Sequence, residues 1–354
     1  MGLEFLQQYG GRRLQIYTPQ APPEDEAAAD EEPEHAPPRR DLERAEPDWR
    51  PIDIGSDLPA PEEMPCRFID GCYHGENVAW AQSPEGFPIP IRLAEIGGVC
   101  IRAEDRTLRR EFAITERVVA SIFDPFPWDD VESFAAALTA ERFQCLPTRP
   151  HREVTENGEE LGTRKLSFDF RRNSEAVRIG VLHEMAALEE LALCHDREVP
   201  VVVDGRIGKY QRCGLDGWDV IGVIKRHAGE YLHPQGYRAL LALQPGQRTP
   251  IFELPSKHLD VISWYLKLEG GAGSMPDWGY VRMEISRDCF ERHQSDFEYI
   301  NRLSNGILRI RCRQDSYGRS PVSLEPIVRA EDSLKSLFQP MNPLIHHFYR
   351  LTKL

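Results

Sequence analysis

Two short apolar runs, each ending in an acid and a glycine, organise the hydrophobic pattern of this chain. Val199–Val203 is rich in β-branched residues and is followed at once by Asp204 and Gly205. Cys66–Ile69 leads in the same way to Asp70 and a glycine. A continuous apolar run of this length is typical of a strand buried on both faces, and the glycine predicts the turn that ends it. Both acids are therefore predicted at strand ends, where the sheet meets water.

The elements around these runs predict an α/β protein. Apolar residues recur at three- and four-residue steps from Ser174 to about His195, which predicts a long helix leading into the Asp204 strand. Residues 68–102 predict a meander of antiparallel strands, whereas 107–123 fit either strand or helix. Further helices are predicted over 129–139, 290–303 and 328–338, and further strands over 218–225, 262–268 and 280–285.

The composition divides the chain into four segments. Residues 1–18 predict a short helix and strand, and 19–65 form an acidic, proline-rich segment that is predicted to be mostly flexible. An apolar patch at Trp49–Ile54 is expected to dock locally. Residues 66–338 are predicted to form the main domain, and 339–354 a C-terminal tail.

Cysteine usage and hydropathy favour a cytoplasmic protein. Hydrophobic residues make up 41% of the chain, and no apolar run reaches the ~20 residues needed to cross a bilayer. The N-terminus lacks the pattern of a secretory signal peptide. The eight cysteines are scattered without a C-x-x-C pair, so they are predicted to be mainly buried free thiols in a reducing compartment.

The net charge of −14 is concentrated in one segment. Residues 21–63 hold fifteen acids against four arginines, which accounts for −11 of that total. The remainder of the chain is therefore nearly neutral, and a nucleic-acid surface there is not excluded. Candidate cationic clusters are Arg309, Arg311, Arg313 and Arg319 with Tyr317 among them, and Arg106, Arg109 and Arg110. Each cluster is equally well explained as a solvated face.

Asp70 and Asp204 are the central candidates for chemistry. If their strands are neighbours, the two carboxylates lie on strands only ~4.8 Å apart, and they repel unless a proton or a cation lies between them. Hard oxygen ligands favour Mg²⁺ or Mn²⁺. The simpler alternative is that each Asp-Gly pair is an ordinary turn after a strand.

Further candidate ligands come from the helices. Glu184, on the helix before the Asp204 strand, is the first choice, with Glu189 and Glu190 as competing ones. Near the C-terminus Glu331 is preferred over Asp332 and His346. Lys225 at the end of the following strand is predicted to hold a phosphate. All of these side chains also fit an ordinary solvated surface.

Strand-borne and helix-borne carboxylates on a mixed sheet are the arrangement of RNase H-like nucleases, which cleave phosphodiesters with two metal ions. The ordered motifs resemble the NurA nuclease family over roughly residues 64–335. The matching stretches are 68–71, the helix with Glu184, 201–205, 220–225, 263–266 and 281–285.

That resemblance implies an RNase H-like or PIWI-like core, a two-metal Mn²⁺ or Mg²⁺ site and 5′-to-3′ exonuclease or endonuclease activity on DNA. It also implies a homodimer and a HerA-type hexameric ATPase as partner, in DNA end processing or phage defence. The family's closing metal-ligand motif is not matched closely here, and Arg329–Asp332 is the nearest counterpart. Two alternatives therefore stay open: an inactive scaffold that caps the ATPase ring, and a two-metal phosphoesterase acting on nucleotides.

Overall fold

A mixed β-sheet is the centre of the computed structural model, which describes residues 2–14, 39–105, 107–150, 152–154, 160–197, 199–210, 212–225, 231–255, 259–270, 278–312 and 323–354. The strands are β1 (Arg12–Arg13), β2 (Arg40–Asp41), β3 (Ile52–Asp53), β4 (Arg67–Gln82), β5 (Pro88–Glu104), β6 (Thr107–Ser121), β7 (Gln144–Pro147), β8 (Arg152–Val154), β9 (Glu160–Arg164), β10 (Val201–Asp204), β11 (Val220–Ile224), β12 (Gln247–Arg248), β13 (Phe252–Leu254), β14 (Val261–Lys267) and β15 (Tyr280–Ser286). The helices are α1 (Phe5–Gln8), α2 (Trp128–Ala140), α3 (Phe170–Leu193), α4 (Pro234–Leu241), α5 (Arg287–Arg292), α6 (Phe297–Arg309), α7 (Glu325–Lys335) and α8 (Met341–Thr352).

The strand order combines an antiparallel meander with two parallel strands. β4, β5 and β6 form the meander. After the crossover through α3, β10 pairs in parallel with β4, and β11 pairs in parallel with β10. β15 then adds antiparallel to β11. The predicted fold class, an α/β mixed sheet with a β-meander and flanking helices, is confirmed.

Two adjacent glycines of β5 show that α3 and α7 cover opposite faces of the sheet. A Cβ on Gly98 would meet the carbonyl oxygen of Leu188 on α3, whereas a Cβ on Gly97 would come within 3.0 Å of the Leu334 side chain on α7. Successive strand residues point to opposite faces, so each helix has its own face. The two glycines allow both helices to approach the sheet backbone closely.

The buried strand residues explain why the apolar runs form the sheet centre. Phe68, Val202 and Ile221 pack with the α6 side of the core, while Ile69 and Val203 pack with the end of α3. Both faces of these strands are therefore covered, as continuous apolar runs predict. β10 ends at Asp204 as predicted, whereas β4 continues through Asp70 and Gly71 to Gln82, so the strand end and turn predicted at Asp70 and Gly71 are wrong.

Several predicted elements differ in their bounds. Residues 107–123 are mostly strand, and the two short strands predicted within 89–101 are one long strand, β5. The helix predicted from Ser174 begins at Phe170, because the Asp169 carboxylate accepts a hydrogen bond from the Arg171 amide and caps it. The predicted C-terminal tail contains the helix α8, whose apolar face joins the core.

The second half of the predicted flexible segment packs on the main body. In residues 39–65, β2 pairs with β13 and β3 pairs with β12, and Trp49 is 1% exposed. The apolar patch at Trp49–Ile54 supplies the buried surface that holds this part of the acidic segment on the main body. The first half of the segment, residues 19–38, lies outside the described residues.

The cysteines follow the prediction of free thiols in six of eight cases. Cys194 and Cys213 form a disulfide, which the sequence did not predict, and the other six are free. None of the helices in the described part of the chain has both the length and the apolar character that crossing a bilayer requires.

Candidate active site

The end of β10 brings Asp204 next to Asp70, the fourth residue of β4. Val203 pairs with Ile69 in the parallel ladder, so the two acids are the next residues along adjacent strands. Ile69 and Val203 point to the α3 face, and alternation along a strand therefore directs both acids to the α7 face. Asp70 is 8% exposed, and the Asp204 side chain is 26% exposed.

Lys225 places a positive charge between these acids. It directly follows β11, and its Nζ lies 2.7 Å from Asp204 Oδ2 while the side chain is only 11% exposed. Burial lowers the pKa of Lys225, but the attraction of Asp204, Asp70 and Glu331 outweighs it, so the net pKa is raised above its ordinary value. The three acids come from three distant parts of the chain, so the fold concentrates negative charge around one ammonium group.

Glu331 reaches this group from α7. It is 5% exposed, and its neighbour Ala330 packs with Cys72 and Val99 on the same face of the sheet. Lys335, one turn further along α7, also forms an ion pair with it. Of the three candidates near the C-terminus, two acids and one histidine, Glu331 is the one that the structure brings to Asp70 and Asp204.

The two other C-terminal candidates lie elsewhere. Asp332 is exposed and pairs with Arg329 at 3.3 Å. His346 is exposed on α8, where the Tyr349 hydroxyl donates to the carbonyl of Val78. Val78 is eight residues along β4 from Asp70, a distance of roughly 26 Å at strand geometry.

The structure does not bring Glu184 to the group. Glu184 lies on the α3 face beside Glu116 of β6. The pKa of Glu116 is raised mainly by burial and also by the negative charge of Glu184. Asp70 and Asp204 point to the opposite face. The acid of α3 that reaches the strand ends is Glu189, which is 3% exposed and packs so closely on Gly71 that a Cβ there would lie 2.0 Å from Glu189 Oε1.

A short loop after β10 connects Glu189 with the strand end. Lys209 Nζ donates to the main-chain carbonyl of Asp204 at 2.9 Å and lies 2.9 Å from Glu189 Oε2. The Tyr210 hydroxyl donates to the same carboxylate, also at 2.9 Å. The competing choice of Glu189 was open in the sequence, but Lys209 was missed. Its only signal is a lysine five residues after a strand-end acid.

The predicted cationic clusters are described in part. Arg309 is exposed at the end of α6, and Arg109 and Arg110 are exposed on β6. Arg110 Nη1 lies 3.5 Å from the hydroxyl of Ser333 on α7. The predicted members Arg106, Arg313, Tyr317 and Arg319 lie outside the described residues.

The donor set around Lys225 fits a hard divalent cation. Asp70, Asp204 and Glu331 supply only carboxylate oxygens, which Mg²⁺ and Mn²⁺ prefer. The three acids are not among the described groups whose ligand atoms all lie within 4.8 Å of one another, so an ion would have to replace the Lys225 ammonium and draw them closer. Glu189 lies beside Gly71, immediately after Asp70, so a further carboxylate is near the strand end.

Comparison with known proteins gives matches among solved structures alone. No family model matches the chain, and no curated protein matches it. Among solved structures, the NurA nuclease from Sulfolobus solfataricus matches over 86% of each chain. That nuclease is of the family that the sequence resembles. The identity is 10% and the TM-score 0.39, and a likeness of this extent does not transfer that protein's activity to this chain.

Replacing Lys225 tests whether the acids need a cation. We expect Lys225→Gln to lower the free energy of unfolding in EDTA by about 2 kcal/mol, because it leaves partly buried carboxylates without their counter-charge; this is below the cost of breaking a fully buried pair because Asp204 reaches solvent. Mn²⁺ should restore more stability to this variant than it adds to the wild type. Urea unfolding with and without Mn²⁺ measures both effects.

Lys353→Gln is the control, because that lysine forms an exposed ion pair with Glu4. It should change stability little and respond to Mn²⁺ as the wild type does. Equal stability of Lys225→Gln and wild type in EDTA would show that the acids are not held by this lysine.

Proposed function

We propose that this protein is a divalent-metal-dependent DNA nuclease that hydrolyses phosphodiester bonds. The observation that carries the proposal is the convergence of Asp70, Asp204 and Glu331 around Lys225 at one strand end. Such a set of oxygen donors is suited to two-metal phosphodiester hydrolysis. The aspartates are held by strand pairing, and Glu331 is held by a buried helix.

Each side chain has a role in the proposed reaction. Asp70 and Asp204 hold Mg²⁺ or Mn²⁺, and Glu331 completes the ligand set from the α7 side. When bound, the ions neutralise charge on the phosphate and lower the pKa of the attacking water. Once an ion replaces Lys225 at Asp204, the lysine ammonium can bind a non-bridging oxygen of the phosphate. Glu189 and Lys209 support the strand end from the other face.

A polymeric substrate is supported by Arg110, which is exposed and contacts Ser333 of α7, the helix that carries Glu331. Arg329 on the same helix is also exposed, but its charge is offset by ion pairs with Glu325 and Asp332. Arginine contacts to phosphates dominate affinity for nucleic acids and make it salt-dependent. A phosphoesterase for single nucleotides does not require cations spread along the approach to its site.

Glu331 tests this function directly. We expect Glu331→Gln to reduce the rate of Mn²⁺-dependent cleavage of linear DNA by about 100-fold, as removal of one charged group from a metal-assisted site does. Glu325→Gln is the matched control, because Glu325 lies on the same helix but is 45% exposed and pairs with Arg329. Cleavage is followed on labelled duplex and single-stranded DNA, with a 5′ or 3′ label to give the polarity.

The same assay separates the alternatives. Turnover of small phosphodiesters without cleavage of DNA would favour the nucleotide phosphoesterase. An inactive protein that nevertheless binds DNA would favour the scaffold.

A partnership with a HerA-type hexameric ATPase and a homodimeric state are also proposed, on the resemblance of the sequence motifs alone. A hexameric DNA translocase would deliver duplex to the nuclease, in end processing or in phage defence. The measurements are the mass of the protein in solution and the change in cleavage rate when a HerA-type ATPase and ATP are added. A monomer whose cleavage does not respond to the ATPase would contradict both parts.

A further inference from the structure

We propose that Asp219, Cys289 and His293 form a zinc site separate from the carboxylate cluster. Their ligand atoms, one from each residue, all lie within 4.8 Å of one another. Asp219 lies just before β11, whereas Lys225 lies just after it. The two sites are therefore at opposite ends of that strand, roughly 20 Å apart at strand geometry.

The local fold aims all three side chains at one point. Cys289 lies in the first turn of α5, where its amide donates to the Ser286 hydroxyl that caps the helix. His293 follows four residues later, and residues four apart share a helix face. Asp219 comes from the sheet side. Cys289 is fully buried, and the imidazole of His293 stacks on the Tyr299 ring with centroids 3.7 Å apart.

The distances between the donor atoms suit a tetrahedral ion. His293 Nε2 lies 2.9 Å from Asp219 Oδ2, the oxygen that is available to the ion, and Cys289 Sγ lies 3.4 Å from Oδ1 of the same carboxylate. With zinc–sulfur bonds of about 2.3 Å and zinc–nitrogen or zinc–oxygen bonds of about 2.0 Å, tetrahedral angles separate such atoms by roughly 3.3–3.5 Å. Small side-chain rotations are therefore enough to place an ion among them.

The surroundings provide the second layer of contacts that zinc sites use. His293 has its Nε2 toward Asp219, and its Nδ1 lies 3.9 Å from a carboxylate oxygen of Glu63. This distance is too long for a hydrogen bond, but a small approach of the two groups would supply the carboxylate that orients a ligating histidine. The Tyr299 hydroxyl lies 4.0 Å from Cys289 Sγ and is suited to the fourth position, directly or through a water.

The charges also permit zinc. The pKa of Cys289 is raised by burial and by the charge of Asp219, so without metal it is a neutral thiol. On binding, the thiol proton leaves to solvent as the zinc–sulfur bond forms, and neutral His293 binds through Nε2. Arg292, whose Nη1 lies 2.8 Å from Asp219 Oδ1, stays paired with that oxygen and leaves Oδ2 for the ion.

The mixture of sulfur, nitrogen and oxygen favours zinc over the hard ions of the carboxylate cluster, because thiolate and imidazole do not suit Mg²⁺. The complete burial of Cys289 favours a structural role. The ion would tie α5 to β11 and, through Glu63, to residues 39–65. This inference does not depend on nuclease activity.

The test uses the full-length chain without a metal-binding tag and without reductant, so that Cys194 and Cys213 stay paired. We expect one equivalent of Zn²⁺ to survive dialysis, and Co²⁺ in its place to give a thiolate-to-cobalt charge-transfer band. Cys289→Ser should remove the band. Cys100→Ser should keep it, because Cys100 is as deeply buried and also contacts an acid, Glu111, at 3.3 Å.

Two further variants test whether the site is separate from the carboxylate cluster and whether His293 is a ligand. The double variant Asp70→Asn, Asp204→Asn should retain the band, which separates this site from the carboxylate cluster. If Cys289→Ser does not fold by circular dichroism, His293→Gln should still fold and bind Co²⁺ at least tenfold more weakly. Wild type without a thiolate band, or a band that persists unchanged in Cys289→Ser or in His293→Gln, overturns the zinc site.

Discussion

Asp204→Asn is expected to reduce metal-dependent cleavage of DNA by at least about 100-fold, because it removes a charged ligand on which the reaction centre depends. The amide keeps the shape of the side chain but cannot neutralise a divalent ion, and it also loses the ion pair with Lys225. Binding of Mn²⁺, followed by calorimetry, should weaken in parallel. The cleavage rate at saturating Mn²⁺ is the measurement.

Asp53→Asn is the matched control for this substitution. Asp53 also ends a strand, and its carboxylate accepts a hydrogen bond from the Gly55 amide, but it is exposed and lies on β3. It should cleave as the wild type does. If Asp204→Asn cleaves as fast as Asp53→Asn, the carboxylate cluster does not perform the reaction and the nuclease proposal is wrong.

Gly98→Ala is expected to lower the free energy of unfolding by about 3 kcal/mol, at the upper end of the usual cost of overpacking a core. Its Cβ would lie 2.4 Å from the carbonyl oxygen of Leu188. That oxygen belongs to the backbone of α3, so only a shift of the whole helix relieves the contact. Urea unfolding followed by circular dichroism measures the loss.

Gly208→Ala is the control, since a Cβ at that position meets nothing within 4 Å. It should unfold at a urea concentration close to that of the wild type. A Gly98→Ala protein as stable as Gly208→Ala would show that α3 does not approach β5 as closely as described. Because Glu189 follows Leu188 directly, the shift of α3 in Gly98→Ala also moves an acid at the strand end.

The position of Asp204 at a strand end could be predicted from the sequence because burial dictates the pattern before it, whereas the same inference was wrong for Asp70, since β4 continues to Gln82. A run such as Val199–Val203 has too few polar residues for any exposed face, so it must lie inside a sheet, and Asp204 must then lie at its end. The pairing of β10 with β4 could not be read in the same way. It depends on the long crossover through α3, which local periodicity does not encode.

The sequence pointed to Glu184 rather than Glu189 on α3, because local periodicity does not encode how the helix packs on the sheet. Glu184 and Glu189 both neighbour apolar positions of α3, and a period of 3.6 residues accommodates either of them. Only the packing of α3 on Gly71 and Gly98 decides which one reaches the strand end. Cys289 and His293 were missed because their four-residue spacing is not one of the cysteine-pair patterns by which zinc sites are usually recognised.

The parallel pairing of β4 with β10 has a consequence for ion size. Asp70 and Asp204 directly follow Ile69 and Val203, the last pair of the hydrogen-bonded ladder between the two strands. Strand pairing thus fixes the backbone positions of the two acids, unlike acids on a flexible loop, which can spread around a larger ion such as Ca²⁺. If the proposed ions bind, this backbone spacing would favour small ions over large ones.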